Sequence, residues 1–327
     1  MNIERAGQTI PNSAIVRLGF AGAIVLFTST TTHLVVDVLG YFTPVTFIPG
    51  PDVYVATGRR FDAVTPTRIL DTRHATAMQY TGPKPVGGSI IEFAAMPNPL
   101  APEFPVPAGM LHTSWLGAVV LNVTATESNG PGFVQVAPAG TLARRASSNL
   151  NLTTRNQTIA NLVIVPMSST GRVAIYTSGT THLIADVLGY FTNDPAPNLF
   201  VALFVPRAPE RVLDSRAASR VGGLHFDGSA GTSTPLRFEG LPTVVGAVVL
   251  NVTATETRGP GFVQAGVDLV AGAYSNLNVD SSNQTIPNLA IARTDHCSGP
   301  NFQRPLELFT SNTSHLVADI FGWFIGL

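Results

Sequence analysis

Cysteine is nearly missing: Cys297 is the only one in 327 residues. One cysteine closes no internal disulfide, and no metal-type Cys/His spacing surrounds it, so it reads as a small loop residue. Charge is scarce as well. Charged residues make up 12% of the chain, against roughly 25% in ordinary soluble domains. Nineteen Lys and Arg nearly balance 20 Asp and Glu, for a formal net charge of −1. Without a basic stripe the chain has no footing for nucleic acid or an anionic membrane surface. Long apolar runs are absent too. The richest stretch, Ala14–Phe27, is too short to span a bilayer and is interrupted by Arg17 and glycines, so neither a membrane span nor a signal peptide is expected in the chain as given. No helical stripe, phosphate loop, zinc signature or nucleophile elbow stands out. The expectation is a protein without cofactor, metal or catalytic residues.

What the chain does have is an internal repeat. Thr32–Phe42 (THLVVDVLGYF) returns as Thr181–Phe191 (THLIADVLGYF) and as Ser314–Phe324 (SHLVADIFGWF). The match runs upstream: Asn2–Phe42 lies on Asn151–Phe191 without a gap, with 20 of 41 positions identical. That is too many for chance, and it makes the N-terminal apolar stretch a pair of strands repeated in every copy. A second set of motifs occurs only twice. Arg68–Arg73 (RILDTR) pairs with Arg211–Arg216 (RVLDSR), Gly117–Glu127 (GAVVLNVTATE) is repeated unchanged at Gly246–Glu256, and GPGFVQ occurs at Gly130 and Gly259. Phe61 and Phe204 each stand seven residues before the first of these motifs. Each full module thus has a front half and a back half. The expected organisation is a back half at 1–42, a linker at 43–57, a full module at 58–192, a linker at 193–200 and a full module at 201–327.

The periodicity is two, not 3.6. In Val119–Glu127 the residues Val119, Leu121, Val123 and Ala125 share one face, and Val120, Asn122, Thr124 and Thr126 share the other. Further strands are expected at Ile69–Arg73, Ser89–Ala94, Phe133–Ala137, Ile159–Val165, Arg172–Thr177 and His182–Phe191. Pro11 and Pro287 start the Asn-bearing strand, which confines it to a strand start or a sheet edge. Seven or eight strands per module predict an all-β fold of tandem antiparallel β-sandwich or jelly-roll-like modules.

Three groups of polar residues are candidates for chemistry. The pairs His33/Asp37, His182/Asp186 and His315/Asp319 sit four apart. On a strand such residues share a face but lie roughly 13 Å apart, so they cannot bond to each other. Their presence in every copy favours a structural role near the sandwich rim over catalysis or metal binding. The charge groups Arg68, Asp71, Arg73 and Arg211, Asp214, Arg216 read as ion pairs pinning each module's first strand, with an arginine fork for a carboxylate or sulfate as the alternative. The rows Asn122, Thr124, Thr126 and Asn251, Thr253, Thr255 form a candidate ligand or sheet-stacking face. A solvated outer face or a cross-strand ladder is the plainer reading.

Taken together, RxLD[T/S]R, VVLNVTATE, GPGFVQ, SNLN and THLIxDVLGYF resemble the tandem modules of large secreted or cell-surface proteins of actinobacteria and related bacteria. The resemblance covers nearly the whole chain. It implies an exported, extracellular protein and carries no catalytic residue. Relatives with a cysteine pair would place it near Ala139 and Ala174, where this chain has alanine. A non-catalytic structural or adhesive repeat protein is the expected function. The alternative is a carbohydrate-binding module accessory to a secreted hydrolase, with Tyr80, Trp115 and Tyr274 as exposed aromatics. Expected partners are copies of itself, neighbouring modules of a longer chain or cell-surface glycans. Three back halves against two front halves leave residues 1–42 without a covalent partner in order. Ile15, Val16, Ile24, Leu26, Leu34 and Val38 would then face water. Covering on the order of 1,000 Å² of such surface is worth roughly 25 kcal/mol before entropy, so completion by preceding sequence or by another chain is expected.

Overall fold

The computed structural model describes residues 1–42 except 2, 5 and 17, then 60–73, 77–95, 116–192, 203–216, 221–222, 226–236, 238, 245–294 and 306–325. The two expected linkers, Trp115 and Cys297 lie outside the described residues.

The described residues fold as two all-β modules. The first holds β1 (Arg60–Asp71), β2 (Ile90–Ala94), β3 (Leu116–Thr126), β4 (Gly132–Pro138), β5 (Leu150–Leu152), β6 (Ile159–Pro166), β7 (Arg172–Thr177) and β8 (His182–Thr192). The second repeats it as β9 (Leu203–Asp214), β10 (Thr232–Pro235), β11 (Val245–Thr255), β12 (Gly261–Gly266), β13 (Leu277–Val279), β14 (Ile286–Arg293), β15 (Glu307–Thr310) and β16 (His315–Ile325). The strand expected at Ile69–Arg73 is the end of a longer one. β1 already begins at Arg60, and it tolerates Pro66 because it is an edge strand with a register break between Ala63 and Thr67. Pro287 follows the same rule, since β14 is also an edge strand.

The sheet orders are β1-β8-β3-β6 and β2-β7-β4-β5 in the first module, and β14-β11-β16-β9 and β10-β15-β12-β13 in the second, all antiparallel. The pairs β1·β8, β2·β7, β3·β6 and β4·β5 describe one long hairpin that turns between β4 and β5 and wraps into two sheets. That is a jelly roll. Within each module, every ladder joins a strand of the first arm (β1–β4 or β9–β12) to a strand of the second arm (β5–β8 or β13–β16). No strand pairs with another of its own arm.

The core of the first module lies between its sheets. Val119, Leu121, Val123 and Ala125 of β3 and Leu183, Ala185 and Val187 of β8 meet Phe93 of β2, Val134 of β4 and Ile175 of β7, and all are buried. The opposite face of the β1-β8-β3-β6 sheet is largely covered. It packs on the β14-β11-β16-β9 sheet through a second cluster in which Phe61, Val120, Leu162, Leu188 and Phe191 meet Ala247, Val249, Leu289, Ile291 and Phe324.

Residues 1–42 depart from the sequence reading. Among its described residues the segment has one short 3-10 turn, Phe20–Gly22, and no strand. The strand pairing explains why. A second arm finds hydrogen-bond partners only in a first arm, and both first arms of this chain are already occupied.

Candidate functional site: the charge clusters and the module interface

The end of β1 brings the RxLD[T/S]R motif against the His/Asp motif of β8. In register, Arg68 faces Asp186 and Asp71 faces Ile184. Arg68 Nε donates to Asp186 Oδ1 at 2.9 Å, and its Nη1 lies 3.5 Å from Asp71 Oδ2. Arg73 grips Asp71 with both prongs, Nε to Oδ1 at 3.0 Å and Nη2 to Oδ2 at 2.6 Å, while its backbone N–H adds a third bond at 3.0 Å. Asp71 is fully buried. A bidentate guanidinium and a second arginine are what keep such a carboxylate charged out of water. The second module repeats the cluster: Arg211 to Asp319 at 2.8 Å, Arg211 to Asp214 at 3.3 Å, and Arg216 to Asp214 at 2.9 and 2.6 Å.

The cluster is thus shared between the two arms, which the sequence reading did not foresee. In the sequence the arginine group and the His/Asp pairs stand as separate features, with Arg68 and Asp186 118 residues apart. Burial pushes the Asp186 carboxyl up, against the pull of Arg68. The hydrogen bond from Arg73 to Asp71 pushes the Arg73 guanidinium up, and the bond from Arg211 to Asp319 does the same for Arg211. Arg73 and Arg216 each spend Nε and Nη2 on an internal carboxylate.

The histidines meet hydroxyls that the sequence reading missed. His182 Nδ1 lies 3.1 Å from Thr72 Oγ1, and His315 Nδ1 lies 3.1 Å from Ser215 Oγ. Thr72 Oγ1 accepts from the Leu183 N–H at 2.9 Å, and Ser215 Oγ from Leu316 at 2.9 Å. Each hydroxyl thus bridges a backbone N–H and an imidazole Nδ1, the donor at the ring contact being set by the histidine tautomer. Nε2 faces Glu127 at 3.8 Å or Glu256 at 3.9 Å. Burial is the main cause that lowers the His182 pKa, and Glu127 opposes it. A hydroxyl, a histidine and a glutamate in line resemble the parts of a nucleophilic triad. The hydroxyls, however, are 1% exposed and face a neighbouring backbone N–H. The signal in the sequence was the fifth residue of the motif, Thr in one copy and Ser in the other.

The Asn/Thr rows are placed differently in the two modules. Asn122, Thr124 and Thr126 are all buried. Asn122 Nδ2 donates to the Ser275 carbonyl, and its Oδ1 accepts from Asn288 Nδ2 at 3.2 Å. Asn288 Oδ1 accepts from the Leu162 N–H at 3.3 Å. Nearby, the Thr158 N–H donates to Asp280 at 2.6 Å, and Arg293 donates to Thr65 at 3.3 Å. This face stacks on the other module. In the copy, Thr253 and Thr255 are buried, while Asn251 is partly exposed and bonds Thr253 Oγ1 at 3.3 Å.

Of the candidate exposed aromatics, Tyr274 is buried and Tyr80 is partly buried. Tyr274 has its hydroxyl on the Ala265 carbonyl, and Tyr80 packs against the core and bonds the Pro83 carbonyl. Ala174 lies opposite Ala137 on β4, two residues before Ala139. Among the described residues no three His, Cys, Asp or Glu side chains group to hold a metal ion, and no helix is long and apolar enough to cross a membrane. His33 and Asp37 are exposed, away from the environments their counterparts occupy.

The fold and these contacts define a tandem jelly-roll repeat protein. No family model matches the chain, and no curated protein or solved structure is significantly similar to it.

Proposed function

We propose that the chain is a non-catalytic structural and adhesive repeat protein of the bacterial cell exterior, and that its modules work by packing on one another. One observation carries the reading. The repeated polar row that a ligand-binding module would turn outward, Asn122, Thr124 and Thr126, is buried against a second module and hydrogen-bonded to it. The same holds within each module, where Arg68, Asp71, Arg73 and Asp186 tie one arm of the hairpin to the other. The extracellular location rests on the resemblance of the motifs to exported modules. The carbohydrate-binding alternative is less favoured, because Tyr274 and the Asn122 row are covered.

The test is a pair of assays on the purified chain. A glycan array is expected to show no binding, and incubation with peptides, esters and common polysaccharides no turnover. Saturable binding to one glycan class, lost on changing an exposed residue, would replace this reading. So would turnover abolished by Ser215→Ala in a variant that still folds.

A further inference from the structure

Residues 1–42 stand where the second arm of a third module would stand. Phe42, Phe191 and Phe324 hold the same place in the three repeats, and their rings close a nearly equilateral triangle of 5.8, 6.0 and 6.4 Å. Gln8, Gln157 and Gln284 are likewise equivalent, as are Ile10, Ile159 and Ile286, and all six line one small cavity. Glu4 and Asp280 are equivalent too. Glu4 accepts from the Thr285 N–H as Asp280 accepts from the Thr158 N–H. The first repeat therefore leans on the third as the third leans on the second. These relations describe an approximate threefold axis with three seats.

The third seat is incomplete in a specific way. Phe61 and Phe204, from the two first arms, each rest against a glycine of the second arm. A Cβ on Gly189 would stand 2.4 Å from the Phe61 ring, and one on Gly322 would stand 2.8 Å from the Phe204 ring. The equivalent Gly40 has nothing within 4 Å. Each of these phenylalanines also touches the next seat, Phe61 on Phe324 at 4.5 Å and Phe204 on Phe42 at 4.8 Å. A sixth ring, on Gly40 and against Phe191, would complete the set. Asn288 Oδ1 has its bond from Leu162, while the matching Asn12 Oδ1 and Asn161 Oδ1 are buried without a partner. Val25, Phe27, Val35, Val38 and Tyr41 are 93, 87, 88, 82 and 81% exposed. Their counterparts Ala174, Tyr176, Ile184, Val187 and Tyr190 are buried.

We propose that residues 1–42 are the docking site for a first-arm segment of this repeat type, supplied from outside residues 1–327, which completes a third jelly roll on the axis. Its chemistry follows from the two complete modules. A phenylalanine sits on Gly40, and an arginine seven residues later pairs with Asp37. A Ser or Thr four residues beyond that arginine meets His33. A V-V-L-N-V-T strand pairs between the segments around Asn12 and Val36. The inference rests on the packing of the modules and not on where the protein works.

The probe is residues 201–276 of this chain, used in two ways. It is added as a separate polypeptide to the full chain, and it is joined ahead of Met1, which puts Met1 in the place of Leu277. The joined form guards against aggregation of a free arm. Backbone exchange at 32–42 is expected to slow at least about tenfold in one or both forms, and Asp37→Ala is expected to reverse part of that protection. Unchanged exchange in both forms overturns the proposal. Protection that Asp37→Ala leaves intact overturns the arm-like geometry. A full chain that is already dimeric by light scattering, with 32–42 protected before any addition, assigns the site to a second copy instead.

Discussion

Asn122 and Asn251 offer an internally controlled measurement, because each stands at the same place in the identical sequence GAVVLNVTATE. Asn122 is buried and makes two hydrogen bonds to the other module, to the Ser275 carbonyl and from Asn288 Nδ2. Asn122→Ala removes both. Each bond contributes about 1 kcal/mol net, and the stranded Ser275 carbonyl adds about 1–3 kcal/mol of desolvation. Asn288 Nδ2 retains its bond to the Asn276 carbonyl, which limits the damage. The expected loss is about 2–4 kcal/mol. Asn251 bonds only Thr253 and is partly exposed, so water replaces what Asn251→Ala removes. Its expected loss is under about 1 kcal/mol. Guanidinium unfolding followed by circular dichroism reads both, and an Asn122→Ala/Asn288→Ala cycle should show coupling of about 0.5–2 kcal/mol. Equal losses for the two alanine variants would refute the view that the Asn122 face is an interface.

Gly189→Ala drives a Cβ into the Phe61 ring and the Asp62 carbonyl, both within 2.6 Å, and should cost about 1–3 kcal/mol; Gly40→Ala, with nothing within 4 Å, should leave the melting temperature unchanged. Asp280 titrates against the fold. Burial raises its carboxyl from 3.8 to about 6, so the folded state holds the proton more tightly than the unfolded one. That contribution is full below pH 4 and is lost as pH rises through about 6. Asp280→Asn should therefore gain on the order of 2 kcal/mol at pH 7, allowing for partial exposure, and nothing below pH 4, as thermal melts across that range would show. Thr72→Val and His182→Ala should each lower thermal stability, by about 1–3 kcal/mol, since each strands a buried polar group. The His182 contribution has the opposite pH sense: its lowered pKa makes it full above about pH 6.5 and lost on acidification, and a His182→Ala variant whose stability loss grew on acidification would contradict the burial of the neutral ring.

Local alternation and the repeat decided much of this protein on their own. Val119, Leu121, Val123 and Ala125 alternate with Val120, Asn122, Thr124 and Thr126, which is enough to name a strand and its core face. The repeated motifs mark the modules and their two arms. What the alternation cannot carry is the identity of the partner on the second face. A row of Asn and Thr is equally suited to water and to a hydrogen-bonding neighbour, because both satisfy the same donors and acceptors. Only the packing of one module on the other decided that Asn122 meets Ser275 and Asn288. The same holds for Arg68 and Asp186. They stand 118 residues apart, and no local pattern links them until β1 and β8 lie side by side. Residues 1–42 make the point in reverse. Their sequence reads as strands, yet a strand needs a partner's N–H and C=O groups. In this fold those come only from the other arm.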